Sequence, residues 1–314
     1  MGIIVMGATF VDIKGFPEDS YIPTGRNVGR VEYIHGGVAR NVVEDIANVE
    51  LRPTFLGIVD DTPMGTDVLR KLRNHKVNTD YVLTLPDGMG TWLAVFDNNG
   101  DVAGSISKRP DMMPLLGLLD EKGDEIFFGA DTLVLEVDLD KSLVKKVLEL
   151  CRKHSVRIIG LVSNMNIAAK RRDFLQQFDC FICNQLEAGT LFLDDYSGMT
   201  PEQLCQIIAQ RVPQARIPAM VVTMGEQGAV YADCEGNYGV CPARKVQVKD
   251  TTGAGDAFCA GVAIGLTYGK DFPHAIEIGS ILAASVITSS ENVCPRFQPA
   301  ELGLDVQIPE AASV

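Results

Sequence analysis

Asp250-Thr251-Thr252-Gly253-Ala254-Gly255-Asp256-Ala257-Phe258 is a turn of small residues that runs straight into an apolar stretch of helical spacing reaching about position 268. The spacing predicts a helix whose first N–H groups lack intrahelical partners and converge on one spot suited to anionic phosphate oxygens. Gly253, Ala254 and Gly255 let a ligand approach that spot closely, and Asp256, in the first turn, stands where it can take a proton from a substrate hydroxyl. A Gly-Ala-Gly turn with an acidic first turn also reads as an ordinary helix start with a capping Asp. The residues at 245–248 are strand-like and would feed the turn.

Outward from this point, strand and helix alternate. Strands are expected at 3–7, 54–59, 132–137, 156–162, 180–184 and 219–224, and helices at 38–49, 140–154, 168–178 and 200–212. Thr62-Pro63 supplies an N-cap and a first-turn proline for a further helix through about 75. That rhythm means a mainly parallel sheet with helices on both faces. One segment departs from it: 91–97 alternates apolar and polar, Asn98-Asn99-Gly100 signals a turn, and 102–107 returns antiparallel. Residues 10–35 carry extended chain between Gly and Pro turns and are expected to pair with that hairpin as a small β lid over the carboxyl edge of the sheet. The expected organisation is one domain over 1–314 with the lid, approximately 10–35 and 90–108, inserted in it.

Composition narrows the classes of function. The 314 residues are 46% hydrophobic and 22% charged, which excludes collagen, coiled coil and wholesale disorder. The longest apolar runs, such as 278–288, fall short of the roughly 18 residues of a membrane span. The net charge of −13 opposes nucleic-acid backbones and anionic lipid at long range, so neither nucleic acid nor membrane is an expected partner. Eight scattered cysteines and an apolar start without a basic leader point to reduced thiols in a cytoplasmic protein. Cys180-Phe181-Ile182-Cys183 has no second pair or nearby His to complete a zinc site and reads as core. His35, His75, His154 and His274 show no metal-ligand spacing. Trp92, beside Leu93 and Phe96, either packs within the lid or stacks on a substrate ring.

The nine-residue string resembles the carboxyl-terminal signature of the ribokinase, or PfkB, family of ATP-dependent sugar and nucleoside kinases. Other elements appear in family order. Gly36-Gly37-Val38-Ala39-Arg40-Asn41 resembles the amino-terminal di-glycine motif, and Asp12 matches a carboxylate that accepts bonds from sugar hydroxyls. Asn184-Gln185-Leu186-Glu187 resembles the N-x-x-E element, and Thr223-Met224-Gly225-Glu226-Gln227-Gly228 resembles the nucleotide-phosphate loop. Each has a plain alternative: a loop Asp, a first-turn Asn, a helix cap with its first-turn Glu, a glycine turn.

The resemblance spans about 1–296 and implies a ribokinase-like, doubly wound α/β fold with a small β-sheet lid. It implies Asp256 as the base, the Gly253–Gly255 amides as the anion hole, and Asp12, Gly36, Gly37 and Asn41 as the substrate clamp. Asn184, Glu187, Thr223, Gly225, Gly228 and Thr252 would serve ATP, with Glu187 reaching Mg2+ through water. Asp250 and the Thr252 carbonyl would hold a monovalent cation such as K+; alternatively Asp250 caps the turn. Val11-Asp12-Ile13-Lys14-Gly15, the Gly-Gly-Val-Ala-Arg-Asn form, the loop 23–29 and Ser290-Glu291-Asn292-Val293-Cys294-Pro295 together look like the pseudouridine kinases of the family. Leu161-Val162 and Ile182-Cys183 depart from the Asp-Pro and Lys-Pro of the pattern on the nucleotide side. The expected activity is phosphorylation of a ribosyl 5′-hydroxyl, pseudouridine first. The alternatives are another nucleoside or free sugar, and a non-catalytic nucleoside-binding regulator. Open lid edges make a homodimer the expected assembly.

Overall fold

A computed structural model describes residues 2–306 of the chain. From the amino terminus run β1 (Gly2–Met6), β2 (Phe10–Pro17), β3 (Gly29–Gly36), α1 (Val38–Asn48), β4 (Thr54–Leu56), β5 (Ile58–Val59) and α2 (Pro63–Asn74). Next come β6 (Leu83–Thr84), β7 (Gly90–Phe96), β8 (Val102–Lys108), α3 (Pro114–Phe127), β9 (Ala130–Glu136), α4 (Lys141–His154) and β10 (Arg157–Leu161). After them stand α5 (Met165–Ala168), α6 (Arg172–Leu175), β11 (Cys180–Asn184), α7 (Gln185–Phe192) and α8 (Pro201–Ala215). The last are β12 (Ala219–Thr223), β13 (Ala229–Asp233), β14 (Tyr238–Cys241), α9 (Ala254–Thr267) and α10 (Phe272–Ile287).

Eight strands make the main sheet in the order β14-β13-β12-β11-β10-β9-β1-β4. All pairs from β12 to β4 are parallel, and β13 and β14 add an antiparallel edge. The period of two along each strand divides the apolar side chains between two cores. Ile4, Met6, Leu133 and Leu135 join the core that holds residues of α3, α4 and α8, whereas Ile3, Val5 and Val134 join the one under α1, α9 and α10. This is the doubly wound arrangement, and it aligns the carboxyl ends of β1, β9, β10, β11 and β12 along one edge.

A separate four-stranded sheet, β3-β2-β7-β8, rises beside that edge. β2 pairs antiparallel with β3 and parallel with β7, and β7 pairs antiparallel with β8. Its outer face leaves Val31, Tyr33, Leu93 and Ile106 exposed; Lys14 and Ala94, on the other face, are buried.

Several elements differ from the sequence reading. The segment 245–248 forms no strand, because Val246 and Val248 are exposed and no neighbouring strand pairs with them. The helix expected at 168–178 splits into α5 and α6 around Ala169, Lys170 and Arg171, with Arg171 turned to donate to the Val137 carbonyl. The strand at 54–59 breaks into β4 and β5 at Gly57. α3, β13 and β14 were not anticipated, and the apolar run at 278–288 belongs to α10. The tail carries a short 3₁₀ turn, Pro299–Leu302; positions 307–314 lie outside the described residues. Thr62 caps α2 as expected, accepting from the Gly65 N–H. All eight cysteines are free, and only Cys234 is exposed. Among the described residues no helix is long and apolar enough to cross a membrane.

Candidate active site

The first turn of α9 is the centre of the arrangement. Gly253 is its N-cap at φ +82°, where a Cβ would lie 2.0 Å from the Asn292 carbonyl oxygen, so this position requires glycine. A Cβ at Gly255 would meet nothing within 4 Å, which leaves open space in front of the helix start. The Ala254 N–H turns back to the Thr251 carbonyl at 3.3 Å, so the free donors of the turn are those that follow it. Asp256 projects from this turn, half-buried, and its carboxylate accepts a 2.6 Å bond from Asn41 Nδ2. Burial pushes the Asp256 carboxyl up to about 7, against the pull of Asn41 and the Arg40 guanidinium, with the charges of Asp12 and Glu187 adding to the rise.

Asn41 reaches Asp256 because Gly37 lets the chain turn sharply out of β3 into α1. Gly37 has φ +98°, and a Cβ there would stand 2.5 Å from the Ala8 carbonyl. Arg40, fully buried, donates to the carbonyls of His35 and Gly36 and to Asn41 Oδ1, and pairs with Glu44 at 2.5 Å. Asn292 adds a 2.9 Å bond to the His35 carbonyl and a 3.3 Å bond to Asn41 Oδ1. Two residues on, the Cys294 N–H donates to Asp45 at 2.6 Å. The Ser290–Pro295 segment therefore clamps α1 against the start of α9.

Asp12 lies within β2, in the lid sheet, rather than in a loop after the first strand. Gly36 is buried against it, since a Cβ there would come 2.6 Å from the Asp12 carboxylate. Burial raises the Asp12 carboxyl, and Lys14 and Arg40 pull it down. Asp12, Gly36, Gly37, Asn41 and Asp256 are thus brought together between lid and sheet.

On the other side of Asp256, Asn184 and Glu187 form a capping box at the start of α7: Glu187 N–H donates to Asn184 Oδ1 at 2.9 Å, and Asn184 N–H donates to Glu187 Oε2 at 2.8 Å. The box leaves Glu187 Oε1 free, and burial raises this carboxyl, with the Asp138 charge adding to it. Thr223 is the register partner of Asn184 on the adjacent strand, and the Gly225–Gln227 turn follows it. Gly228, at φ +98°, packs where a Cβ would fall 2.1 Å from the Cys241 carbonyl. Asp250 Oδ1 accepts from the Thr252 N–H at 2.8 Å, which is a turn-capping bond. No cluster of three or more His, Cys, Asp or Glu that could hold a metal occurs among the described residues. A single half-buried carboxylate with one free oxygen fits a cation held largely by water and phosphate, the usual habit of Mg2+, and not an all-protein cage.

Sequence reasoning assigned no role to Arg40, Glu136 or Asn292. Arg40 and Asn292 stood inside quoted motifs. Glu136 ends β9 and accepts from the N–H groups of Ala8 (3.2 Å) and Ala39 (3.1 Å), and burial pushes it up to about 8 with the Asp138 charge adding. Its signal was an acidic residue closing a buried apolar strand. A groove of about 650 Å³ beside α7, lined by Leu186, Leu193 and Tyr196, gathers none of these groups.

The model of the pfkB family carbohydrate kinase matches residues 2–294. A guanosine-inosine kinase of Exiguobacterium acetylicum is 36% identical over 92% of this chain and 95% of its own. A pseudouridine kinase of Escherichia coli is 25% identical over 88% of this chain and 87% of its own. The structure of an Arabidopsis thaliana ribokinase complexed with ribose and ATP superposes with a TM-score of 0.80 at 19% identity, covering 97% of this chain and 99% of that one.

Proposed function

The chain belongs to the pfkB family of carbohydrate kinases, phosphotransferases acting on a hydroxyl group, and from that premise we propose that it transfers the γ-phosphoryl group of ATP to the 5′-hydroxyl of a nucleoside. The observation that carries this reading is the Asp256 carboxylate, held by Asn41 at 2.6 Å in the first turn of a helix that opens onto free space at Gly255. Asp256 accepts the hydroxyl proton, and the N–H groups that open α9 receive the negative charge of the transferring group. A carboxyl near 7 suits a base working at neutral pH. Asp12, Gly36, Gly37 and Asn41 orient the ribosyl hydroxyls, and Glu136 supports the same wall by fixing the Ala8 and Ala39 amides.

Asn184, Glu187, the Thr223–Gly228 loop and Thr252 lie on the ATP side. Glu187 would help hold Mg2+ there, and the ion would supply positive charge to offset that of the phosphates. Asp250 and the Thr252 carbonyl are the holders proposed for a monovalent cation. The lid sheet closes over the acceptor and excludes water, which protects ATP from hydrolysis. Its exposed outer residues Val31, Tyr33, Leu93 and Ile106 support a homodimer formed lid to lid.

Pseudouridine remains a candidate acceptor, but a relative named for guanosine and inosine at 36% identity against 25% for pseudouridine kinase puts inosine and guanosine ahead of it. The test is incubation with MgATP and K+ against inosine, guanosine, pseudouridine, uridine, adenosine, ribose and hexoses, following ADP release and product mass. A nucleoside 5′-phosphate supports the reading. Phosphorylation of a free sugar alone overturns the nucleoside assignment, and ATP binding without transfer to any acceptor favours a non-catalytic regulator.

A further inference from the structure

We propose that Lys14 determines acceptor specificity, donating from the inner face of the lid to a ring carbonyl of a nucleobase, so that the acceptors are oxo-nucleosides. The proposal rests on the kinase reading above and names the acceptor of that same site.

Alternation along β2 puts Asp12 and Lys14 on one face, about 7 Å apart. Asp12 is the ribosyl-facing carboxylate, so Lys14 stands one step farther out along the strand, where a group attached to the ribose would lie. Its register neighbours are Glu32 on β3 and Ala94 on β7. Glu32 is committed to Arg30 Nε at 2.7 Å, and fully buried Ala94 offers only a methyl. Lys14 is 7% exposed and makes no hydrogen bond or ion pair with any described residue. Its stem is buried along the lid, and its ammonium, which is not among the buried unsatisfied atoms, is left for an acceptor outside the protein to bond. The Lys14 charge pulls down the carboxyls of both Asp12, on the lid, and Asp250, before the α9 turn.

Beside it stands an aromatic wall. Trp92 is the register neighbour of Asp12 and meets Phe96 edge-on at 6.4 Å, and Phe96 stacks on Phe16 at 4.7 Å. A planar ring carried on the ribose finds apolar surface there and one donor at its edge. Lysine has three N–H donors and no acceptor, so it bonds a ring carbonyl and is blind to an exocyclic amino group. Inosine, guanosine, uridine and pseudouridine present ring carbonyls. Adenosine presents an amino group, and free ribose presents no ring base.

The test measures kcat/KM of the full chain and of Lys14→Met and Lys14→Arg for inosine, guanosine, pseudouridine, uridine, adenosine, ribose and a sugar acid. The expected result is that the inosine-to-adenosine ratio of kcat/KM falls about 10- to 100-fold in Lys14→Met, through KM, as for a lost hydrogen bond from a charged donor, and that Lys14→Arg recovers most of it. Fluorescence of Trp92, the single tryptophan, reads inosine binding without turnover and should show the same weakening. Equal losses for every acceptor, or a wild-type preference for adenosine, ribose or the sugar acid, overturn the proposal while leaving the kinase reading intact. Absence of transfer to any acceptor is the separate failure of the kinase reading itself.

Discussion

At the scale of single residues, the chemistry turns on how the surroundings divide four carboxylates. Asp12, Glu136, Glu187 and Asp256 are all raised, with burial the leading cause in each. Only Asp256 combines a place in a helix first turn, a bond from Asn41 and open space before it. Because the base must be ionised, kcat/KM is expected to rise with pH through about 7 and to level off above it. Asn41 donates to the charged form of Asp256, so its removal favours the protonated form. Asn41→Ala should therefore move the acidic limb of the kcat/KM profile to higher pH, in addition to weakening acceptor binding. A limb that stays in place or moves down would separate Asn41 from the ionisation of Asp256. These partners were partly legible beforehand: Asp12, Asn41 and Asp256 were named from motifs, but contacts across more than two hundred positions, such as Asn41 to Asp256 and Asn292 to Asn41, leave no local pattern in the chain.

At the scale of elements, the two glycines that open α9 do different work, and substitution separates them. Gly253→Ala places a Cβ at φ +82° and within 2.0 Å of the Asn292 carbonyl, so it should cost about 1–3 kcal/mol and lower the Tm along with turnover. Gly255 has ordinary helical geometry and open space, so Gly255→Ala should stabilise the fold by up to about 1 kcal/mol of helix preference and raise the Tm, while its methyl obstructs the ligand and lowers kcat. Thermal unfolding and steady-state rates of the pair check this; equal effects of both substitutions on stability would contradict it. Elements with strong local signals were legible, including β11 at 180–184 and the Thr62-capped α2. The strand-like alternation at 245–248 misled because pairing is decided by neighbours that a local pattern does not contain. Likewise β13 acquires its identity from β12 beside it, and β14 from β13. The N-x-x-E element shows a further limit of motif reading, since its two residues make a complete capping box whatever else they bind.

For the whole molecule, the doubly wound topology was legible because strand and helix alternate with short connections, and it places Glu136, Asn184 and Thr223 at the carboxyl ends of strands of one sheet, while Asp12 comes from the lid sheet. The lid sheet was legible as a hairpin outside that rhythm, whereas its two faces emerge only with the register that joins β2 to β7. The outer face predicts assembly. Ile106→Asp together with Tyr33→Glu should convert a dimer to a monomer in size-exclusion chromatography with light scattering, since charges would then oppose each other across the pairing surface. A wild-type monomer, or a dimer untouched by both substitutions, would remove the lid from that role. The central claim is that Asp256 is the base of a phosphoryl transfer, and the most direct measurement compares wild type with Asp256→Asn for turnover of MgATP and acceptor and for ATP affinity. The account predicts turnover reduced by roughly 10² to 10⁴ with ATP binding nearly intact. Near-normal turnover in Asp256→Asn would contradict it.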